Sequence, residues 1–416
     1  MYKLFLAWRY LLSRKIIFFS IAGIAVGVIV LIVVTSVMGG FSRDMRARIR
    51  GISSHLSIST RLGSYPFFEN YDSTIKKIMA LPHVKACAPR IEWGAILFTN
   101  DDRTVFVRLV GIVPEEEVKI SQFSQYLMDN KTPDFSLNGK ETLYPGAIIG
   151  ADVDTGVFYH SPISQTITLT TVRLQDNIYS SAQKQFTIVG QFKSGLFEHD
   201  SATIYLPLKT VQEFLNVGGI TKISIALDDY QNAEEVRTQV RGILGRNADY
   251  FQVRTWEDEK RIFLTAVEIE KNINAIILFC VVIVAGFNIM AMLTMRVVEK
   301  TKDIGILRAI GGTRKGIMSL FLYQGLLISF IGCVIGVISG YLISANLNII
   351  EGFLTKLTGF RLFPPNIYQL DKIPSEINIP VIIMIVVATI GSSILFSIYP
   401  ALKAAKLEPV EALRYE

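Results

Sequence analysis

Four long apolar runs without a single charge punctuate the chain, at about Ile16–Met38, Ile273–Met295, Ile317–Leu347 and Ile379–Tyr399. A helix needs roughly 20 consecutive apolar residues to cross a hydrocarbon core, so each run predicts a transmembrane helix. Between the first two runs the pattern changes. Strand-like alternation occurs at Thr104–Val113, Gln165–Leu174, Gln185–Phe192, Ser201–Leu208 and Lys222–Leu227. Helical spacing interleaves with it at about Asn70–Ala80, Leu208–Asn216 and Ala233–Leu244. A mixed α+β block of this size, about 41–271, can bury its own core. A division into two subdomains would fall in its polar stretch 129–142.

These patterns divide the chain into 1–15, a first span 16–40, the α+β domain 41–271, a second span 272–297, a loop 298–316, a third span 317–347, a connection 348–378, a fourth span 379–400 and a tail 401–416. In the leading segment Leu4, Phe5, Trp8, Leu11 and Leu12 recur at helical spacing opposite cations. That suits an amphipathic helix in the membrane interface, the alternative being a plain extension of the first span. The first run is longer than the roughly 7–15 residues of a secretory apolar region and no Ala-x-Ala site follows, so it reads as a retained anchor. The connection 348–378 is balanced in charge and holds Pro364, Pro365 and Pro374.

Charge sets the orientation. Cytoplasmic loops of membrane proteins are enriched in Lys and Arg, and Arg296, Lys300, Lys302, Arg308, Arg314 and Lys315 crowd the second loop against Glu299 and Asp303. That loop and the basic N-terminal segment are expected inside, which places both termini in the cytoplasm and the large domain outside. Arg43, Arg46, Arg48 and Arg50 run against this rule, from which large translocated domains are largely exempt. The net charge of +6 lies mostly beside spans, where it orients the chain rather than attracting nucleic acid.

Candidate chemistry is sparse. Cys280 and Cys333 fall in apolar runs, leaving Cys87 alone outside them, so no disulfide framework is expected. The histidines at 55, 83, 160 and 199 lack metal-ligand spacing. Gly311-Gly-Thr-Arg-Lys-Gly316 lacks the spacing of a phosphate loop. Polar residues in the spans are few (Asn288, Gln324, Asn346 and some Ser and Thr), which argues against an ion path. Small residues line helix faces instead: Gly23 and Gly27 in the first span, and Gly325, Gly332, Gly336 and Gly340 in the third. Such faces serve packing within the chain or between subunits. The whole reads as a non-catalytic subunit, pushed at its basic loop by a separate motor.

Several stretches resemble one family. Leu6-Ala-Trp-Arg-Tyr-Leu-Leu-Ser-Arg14, Gly23-Ile-Ala-Val-Gly-Val28, Ser36-Val-Met-Gly-Gly-Phe41, Val110-Gly-Ile-Val-Pro114 and Ile148-Ile-Gly-Ala-Asp152 are similar to its segments. The strongest are Asn288-Ile-Met-Ala-Met-Leu, Val298-Glu-Lys-Thr-Lys-Asp-Ile-Gly-Ile-Leu-Arg-Ala-Ile-Gly311 and the C-terminal run from Tyr399 to Glu416. Together they resemble the LolC/LolE permeases of the lipoprotein-releasing ABC transporter, within the superfamily of MacB and FtsX.

The resemblance implies an integral membrane protein with four transmembrane helices and a large extracytoplasmic α+β domain, the type VII ABC permease fold of MacB. It implies a multi-pass protein of a bacterial inner membrane with the large domain in the periplasm. Its partners would be a cytoplasmic LolD-like ATPase dimer, a second permease subunit (identical or not), a LolA-like periplasmic chaperone, acylated lipoproteins and membrane lipid. The chain would bind no cofactor itself, ATP and Mg belonging to the ATPase. Residues Glu299 to Arg308 would form a coupling helix, with Ile304, Ile306 and Leu307 filling an ATPase groove and Glu299, Lys300, Asp303 and Arg308 setting register. A hairpin at about 172–185, with Leu174, Gln175, Asp176, Asn177, Ile178 and Tyr179 at its tip, would contact the chaperone, although it lacks the proline of the LolC type. A lateral gate between the first two spans would be walled by apolar residues such as Val28, Leu31, Ile276 and Phe279. The alternatives are a MacB-like exporter, which in that family carries a fused ATPase absent here, and an FtsX-like signalling subunit, which has a much smaller outer domain.

Overall fold

The computed structural model describes residues 16–60, 67–98, 103–128, 133–136, 143–154, 163–175, 178–245, 250–359 and 372–408. The expected helix over 1–15, most of the stretch 129–142 and the tail beyond 408 lie outside the described residues. The chain forms two compact units, a bundle unit of Met1–Asp44 with Thr265–Glu416 and a sheet unit of Met45–Leu264.

Helix α1 (Ile16–Ile52) begins with the first apolar run but does not stop where the apolar residues stop. It continues through Arg43, Arg46, Arg48 and Arg50, and its last turns belong to the sheet unit. There the guanidinium of Arg48 lies on the backbone of Gly195, whose φ of +77° suits a residue without a side chain. Arg50 stands over the rings of Tyr230 and Trp256 at 5.1 and 5.4 Å, within reach of a cation–π attraction. Two of the arginines that conflict with the charge rule, Arg48 and Arg50, are thus packing residues of a folded domain.

The rest of the sheet unit runs β1 (Leu56–Thr60), α2 (Tyr71–Met79), β2 (Val84–Phe98), β3 (Thr104–Ile112), α3 (Pro114–Ile120), α4 (Phe123–Tyr126), β4 (Gly146–Gly150), β5 (Thr166–Gln175) and β6 (Ile178–Phe192). It continues through α5 (Phe197–Asp200), β7 (Thr203–Pro207), α6 (Leu208–Leu215), β8 (Lys222–Leu227), α7 (Ala233–Leu244), β9 (Phe251–Thr255) and α8 (Trp256–Glu259). The strand order is β3-β7-β4-β6-β5-β2-β8-β1-β9, and β3 also pairs with β2, so six strands close into a ring. Two ring pairings, β3 with β7 and β4 with β6, are parallel. The long strand β2 serves both parts: Val84–Arg90 pairs with β8, and Ile91–Phe98 pairs with β3. Ile58, Ile91, Leu109, Phe186, Ile204 and Ile225 lie in the shared core. Each alternating stretch read from the sequence is a strand here, namely β3, β5, β6, β7 and β8, whereas β1, β2, β4 and β9 were not anticipated.

The bundle unit is completed by α9 (Arg261–Glu299), α10 (Thr301–Ala309), α11 (Arg314–Ala345), α12 (Leu347–Thr358) and α13 (Ile379–Lys406). Among the described residues, helices α1, α9, α11 and α13 are the four long and apolar enough to cross a membrane. Glycines decide how they meet. Gly332, Gly336 and Gly340 repeat every fourth residue along one face of α11, and Ile24, Val28 and Ile32 of α1 sit on them with the same spacing. Gly23 and Gly27 of α1 instead face Asn288 and Val281 of α9. Gly325 receives Ser397 of α13, and the Ser393 hydroxyl donates to the Gly325 carbonyl at 3.1 Å. All six glycines therefore make close helix contacts within the chain. At the other end of α1, Gly40 admits the Pro374 carbonyl, the Glu376 N–H donates to the Ser36 carbonyl at 2.9 Å, and Arg43 pairs with Glu376 at 3.3 Å.

Candidate functional site

The loop between the second and third spans is a rigid elbow. Helix α9 continues to Glu299, Lys300 occupies the N-cap position of α10, and the chain re-enters the bundle at α11 behind a Thr313 cap. Glu299 therefore ends the spanning helix rather than starting the coupling helix. Two contacts hold α10 on the rest of the bundle, and a third braces its own first turn. Ile304 is 3 % exposed and lies in the apolar cluster of the bundle, with Leu307 packed against it. Lys300 pairs with Asp303 at 2.7 Å. Arg308 donates a hydrogen bond to the Leu407 carbonyl beyond the end of α13.

This anchoring corrects the expected roles. Ile304 cannot fill a partner's groove, because its side chain is already spent on the bundle core. Arg308 fastens α10 to this chain's own tail. Besides the small Ala309, what α10 leaves bare is Lys302, Ile306 (47 % exposed) and, just past its end, Ile310 (80 % exposed). These recur every fourth residue and form one stripe. Ile310 escaped the sequence reading because it lies beyond the last polar residue of the motif, although its spacing from Ile306 could have revealed it. Behind the elbow Arg296, Lys300, Asp303, Ile304, Phe321 and Gln324 line a small cleft. Arg296 was counted with the exposed basic loop, yet it is buried in the bundle.

The expected hairpin is present in the backbone. Strands β5 and β6 pair antiparallel throughout, from Thr166 opposite Thr187 to Leu174 opposite Tyr179 and Gln175 opposite Ile178. Asp176 and Asn177 lie outside the described residues. The gate residues separate into two pairs. Val28 and Leu31 are buried against the bundle, Val28 on Gly336, and cannot wall a passage open to lipid. Ile276 and Phe279 of α9 are exposed, and the bare apolar positions of α1 are Phe18, Phe19, Val26 and Val30.

Sequence reasoning missed a buried ionic network in the sheet unit. Arg90 of β2 grips the Glu117 carboxylate of α3 with two nitrogens, Nε donating at 2.8 Å, and both side chains are buried. Directly opposite Arg90 in the β2–β8 ladder, Lys222 of β8 reaches Glu259 at 2.8 Å and Glu92 at 3.2 Å, and the Ser57 hydroxyl donates to Glu259 at 2.5 Å. Burial opposes ionisation of Glu92, but Lys222, Arg90 and Arg108 outweigh it and bring its pKa down to about 2. Burial likewise opposes the charge on Lys222, and Glu92 with Glu259 holds its pKa above the usual lysine value. Helix α8, tied in by Glu259, is closed at its start by a reciprocal Thr255–Asp258 capping box. The network fixes α8 immediately before α9.

A Ser–His–Asp grouping at Ser194, His199 and Asp200 has a different use. The Asp200 carboxylate accepts directly from the Ser194 hydroxyl at 2.5 Å and from the N–H groups of Ser194 and Gly195 at 2.9 and 2.8 Å. A carboxylate bonded to the serine itself and to two successive backbone N–H groups fastens a loop, with His199 Nδ1 3.6 Å from its Oδ1.

Four apolar helices, a strand-rich domain inserted after the first and an elbow helix between the second and third give the layout of a multi-pass membrane protein, and two family matches make it a permease. Residues 17–243 match the MacB-like periplasmic core domain, and residues 275–409 match the FtsX-like permease C-terminal domain. The lipoprotein-releasing system transmembrane protein LolC of Neisseria meningitidis is 30 % identical over 99 % of this chain and 99 % of its own. LolC of Xylella fastidiosa is 30 % identical over 95 % and 93 %, and LolE of Haemophilus influenzae 27 % over 98 % and 98 %. The chain belongs to the LolC/LolE family.

Proposed function

We propose that this chain is a permease subunit that moves acylated lipoproteins out of an inner membrane to a periplasmic carrier, driven by ATP hydrolysis in a separate subunit. The observation that carries this reading is the elbow. A helix pinned by Ile304 in the bundle core and by Arg308 on Leu407 transmits a push rather than yielding to it. Its stripe of Lys302, Ile306 and Ile310 is the surface on which a cytoplasmic ATPase dimer docks, and ATP with Mg is held there. Helices α1 and α9 each run unbroken from the bundle unit into the sheet unit. They carry the stroke to the outer domain, with both termini in the cytoplasm.

Energetics favour an assisted path for the cargo. Each buried CH₂ of a lipid anchor contributes ~0.8 kcal/mol, so extracting several acyl chains into water costs on the order of tens of kcal/mol. Acyl chains therefore pass from bilayer to protein to an apolar carrier. The exposed side chains Ile276 and Phe279, with Val26 and Val30, supply the apolar wall on this chain, and a second permease subunit supplies the other. The β5–β6 hairpin is the carrier's landing place.

Depletion of the protein followed by membrane fractionation tests the reading. Acylated lipoproteins accumulate in the inner membrane if it is right. Normal lipoprotein sorting with impaired export of another substrate would transfer the assignment to a MacB-like exporter, the reading favoured by the match over residues 17–243.

A further inference from the structure

The connection after α11 contains a helix for which the sequence reading gave no element. Helix α12 starts one residue after α11 ends, with only Asn346 between them. At 3.6 residues per turn, Leu347, Ile349, Ile350, Phe353, Leu354 and Leu357 fall within an arc of about 160°, while Asn348, Glu351, Thr355 and Thr358 occupy the opposite side. One side of the helix is left bare and it is the centre of the apolar arc: Ile349, Phe353 and Leu357 are 72, 66 and 73 % exposed, whereas Leu347, Ile350, Glu351 and Thr355 are partly covered. No residue of α12 is buried.

The orientation of that bare face is fixed. The Ile373 N–H donates to Asn348 Oδ1 at 2.8 Å, and Asn348 Nδ2 donates back to the Ile373 carbonyl at 3.3 Å. A few residues on, the same segment is held against α1 by Glu376 on Ser36 and Arg43. Helix α12 is thus tied to the segment after it through Asn348, with the Ile349–Phe353–Leu357 stripe left uncovered.

We propose that α12 is an interfacial helix whose Ile349–Phe353–Leu357 stripe lies in the lipid at the end of the membrane reached by α11. Continuity singles out lipid as the occupant. The last turns of α11 already present Ile338, Tyr341 and Leu342 as exposed apolar surface at membrane depth, and the bare stripe of α12 follows that surface without a charged break. Lys356 sits at the edge of the apolar arc, from which its ammonium reaches the headgroups while its stem stays in apolar surroundings. Such a helix resists tilting of α11 about that end, and it supports the segment that clamps α1 at Gly40.

Tryptophan placed on either face of the full-length protein, reconstituted in phosphatidylethanolamine–phosphatidylglycerol vesicles, tests the proposal. Fluorescence is read as the difference from the parent protein. Phe353→Trp should be quenched by acyl-brominated lipid about twofold or more relative to Thr355→Trp and be shielded from iodide, as for a side chain below the headgroups. Thr355→Trp should show the reverse. Iodide quenching of Phe353→Trp equal to that of Thr355→Trp would place the stripe in water and overturn the proposal. Shielding of Phe353→Trp from both quenchers would show protein, such as a second copy, on that face and would overturn it equally.

Discussion

A Cβ added to Gly336 would lie 2.7 Å from the Cβ of Val28. The third membrane helix can rest on the first only because residue 336 has no side chain, and the pairs Gly332–Ile24 and Gly340–Ile32 repeat the fit one turn to either side. Small residues at such crossings let backbones approach and gain dispersion contacts that lipid cannot replace. Gly336→Leu should therefore destabilise the bundle by about 1–3 kcal/mol, the usual cost of overpacking. Thermal unfolding in detergent measures it, and adding Val28→Gly, which removes the opposing Cβ, should restore part of the loss. A double variant no better than Gly336→Leu alone would refute the pairing.

The elbow separates two kinds of isoleucine. Ile306→Asp with Ile310→Asp removes the exposed stripe without touching the core, so the protein should insert and fold normally. Recovery of the ATPase with it should fall by roughly tenfold or more, in line with a few kcal/mol at an interface hot spot. Ile304→Ala should behave differently, lowering stability by about 2–5 kcal/mol through the cavity it leaves before it affects docking. Co-purification of the ATPase alongside thermal unfolding distinguishes the two. Full ATPase recovery with the double aspartate variant would contradict the assigned docking surface.

The membrane helices could be read from the sequence because an uncharged run of 20 or more apolar residues has few other uses in a chain of this length. The end of α1 could not. Four arginines within eight residues look like a membrane boundary, and only the fold shows Arg48 on Gly195 and Arg50 on Trp256. Strand β2 was hidden for a related reason. Pro89, Arg90, Glu92 and Gly94 break its alternation, and the partners that make those charges tolerable, Glu117 and Lys222, are distant in sequence. At the elbow the motif gave the location of the helix but not its phase. Whether Ile304 or Ile306 faces outward depends on α10 beginning at Thr301, which packing against α11 and the tail decides.

Arg90 and Glu117 form a buried pair whose removal has asymmetric consequences. Arg90→Met leaves the Glu117 carboxylate buried with only the Ser121 hydroxyl and backbone groups near it. Such a break costs about 3–5 kcal/mol, whereas replacing both partners with apolar residues is often close to neutral. The variant Arg90→Met/Glu117→Leu should thus be more stable than Arg90→Met alone. Denaturant unfolding followed by the tryptophans of the sheet unit, Trp93 and Trp256, compares them. Equal or additive losses would show that the two side chains do not act as a unit.

Glu92 makes the sheet unit sensitive to acid in a defined window. Its folded pKa of about 2 lies below the ordinary glutamate value of 4.5, so the unfolded chain binds its proton first as the pH falls. Stability from this group is fully present above the unfolded value and is lost progressively as the pH drops from about 4.5 toward 2. Neutral Gln at this position cannot take part in that linkage. Glu92→Gln should begin less stable near neutrality, because Lys222 then keeps only Glu259, and should lose stability less steeply across the acid window. Unfolding midpoints of the full-length protein at several pH values between 6 and 2.5 test this. Parallel slopes for the two proteins would mean that the Glu92 carboxylate is not held by Lys222, Arg90 and Arg108 in the folded state.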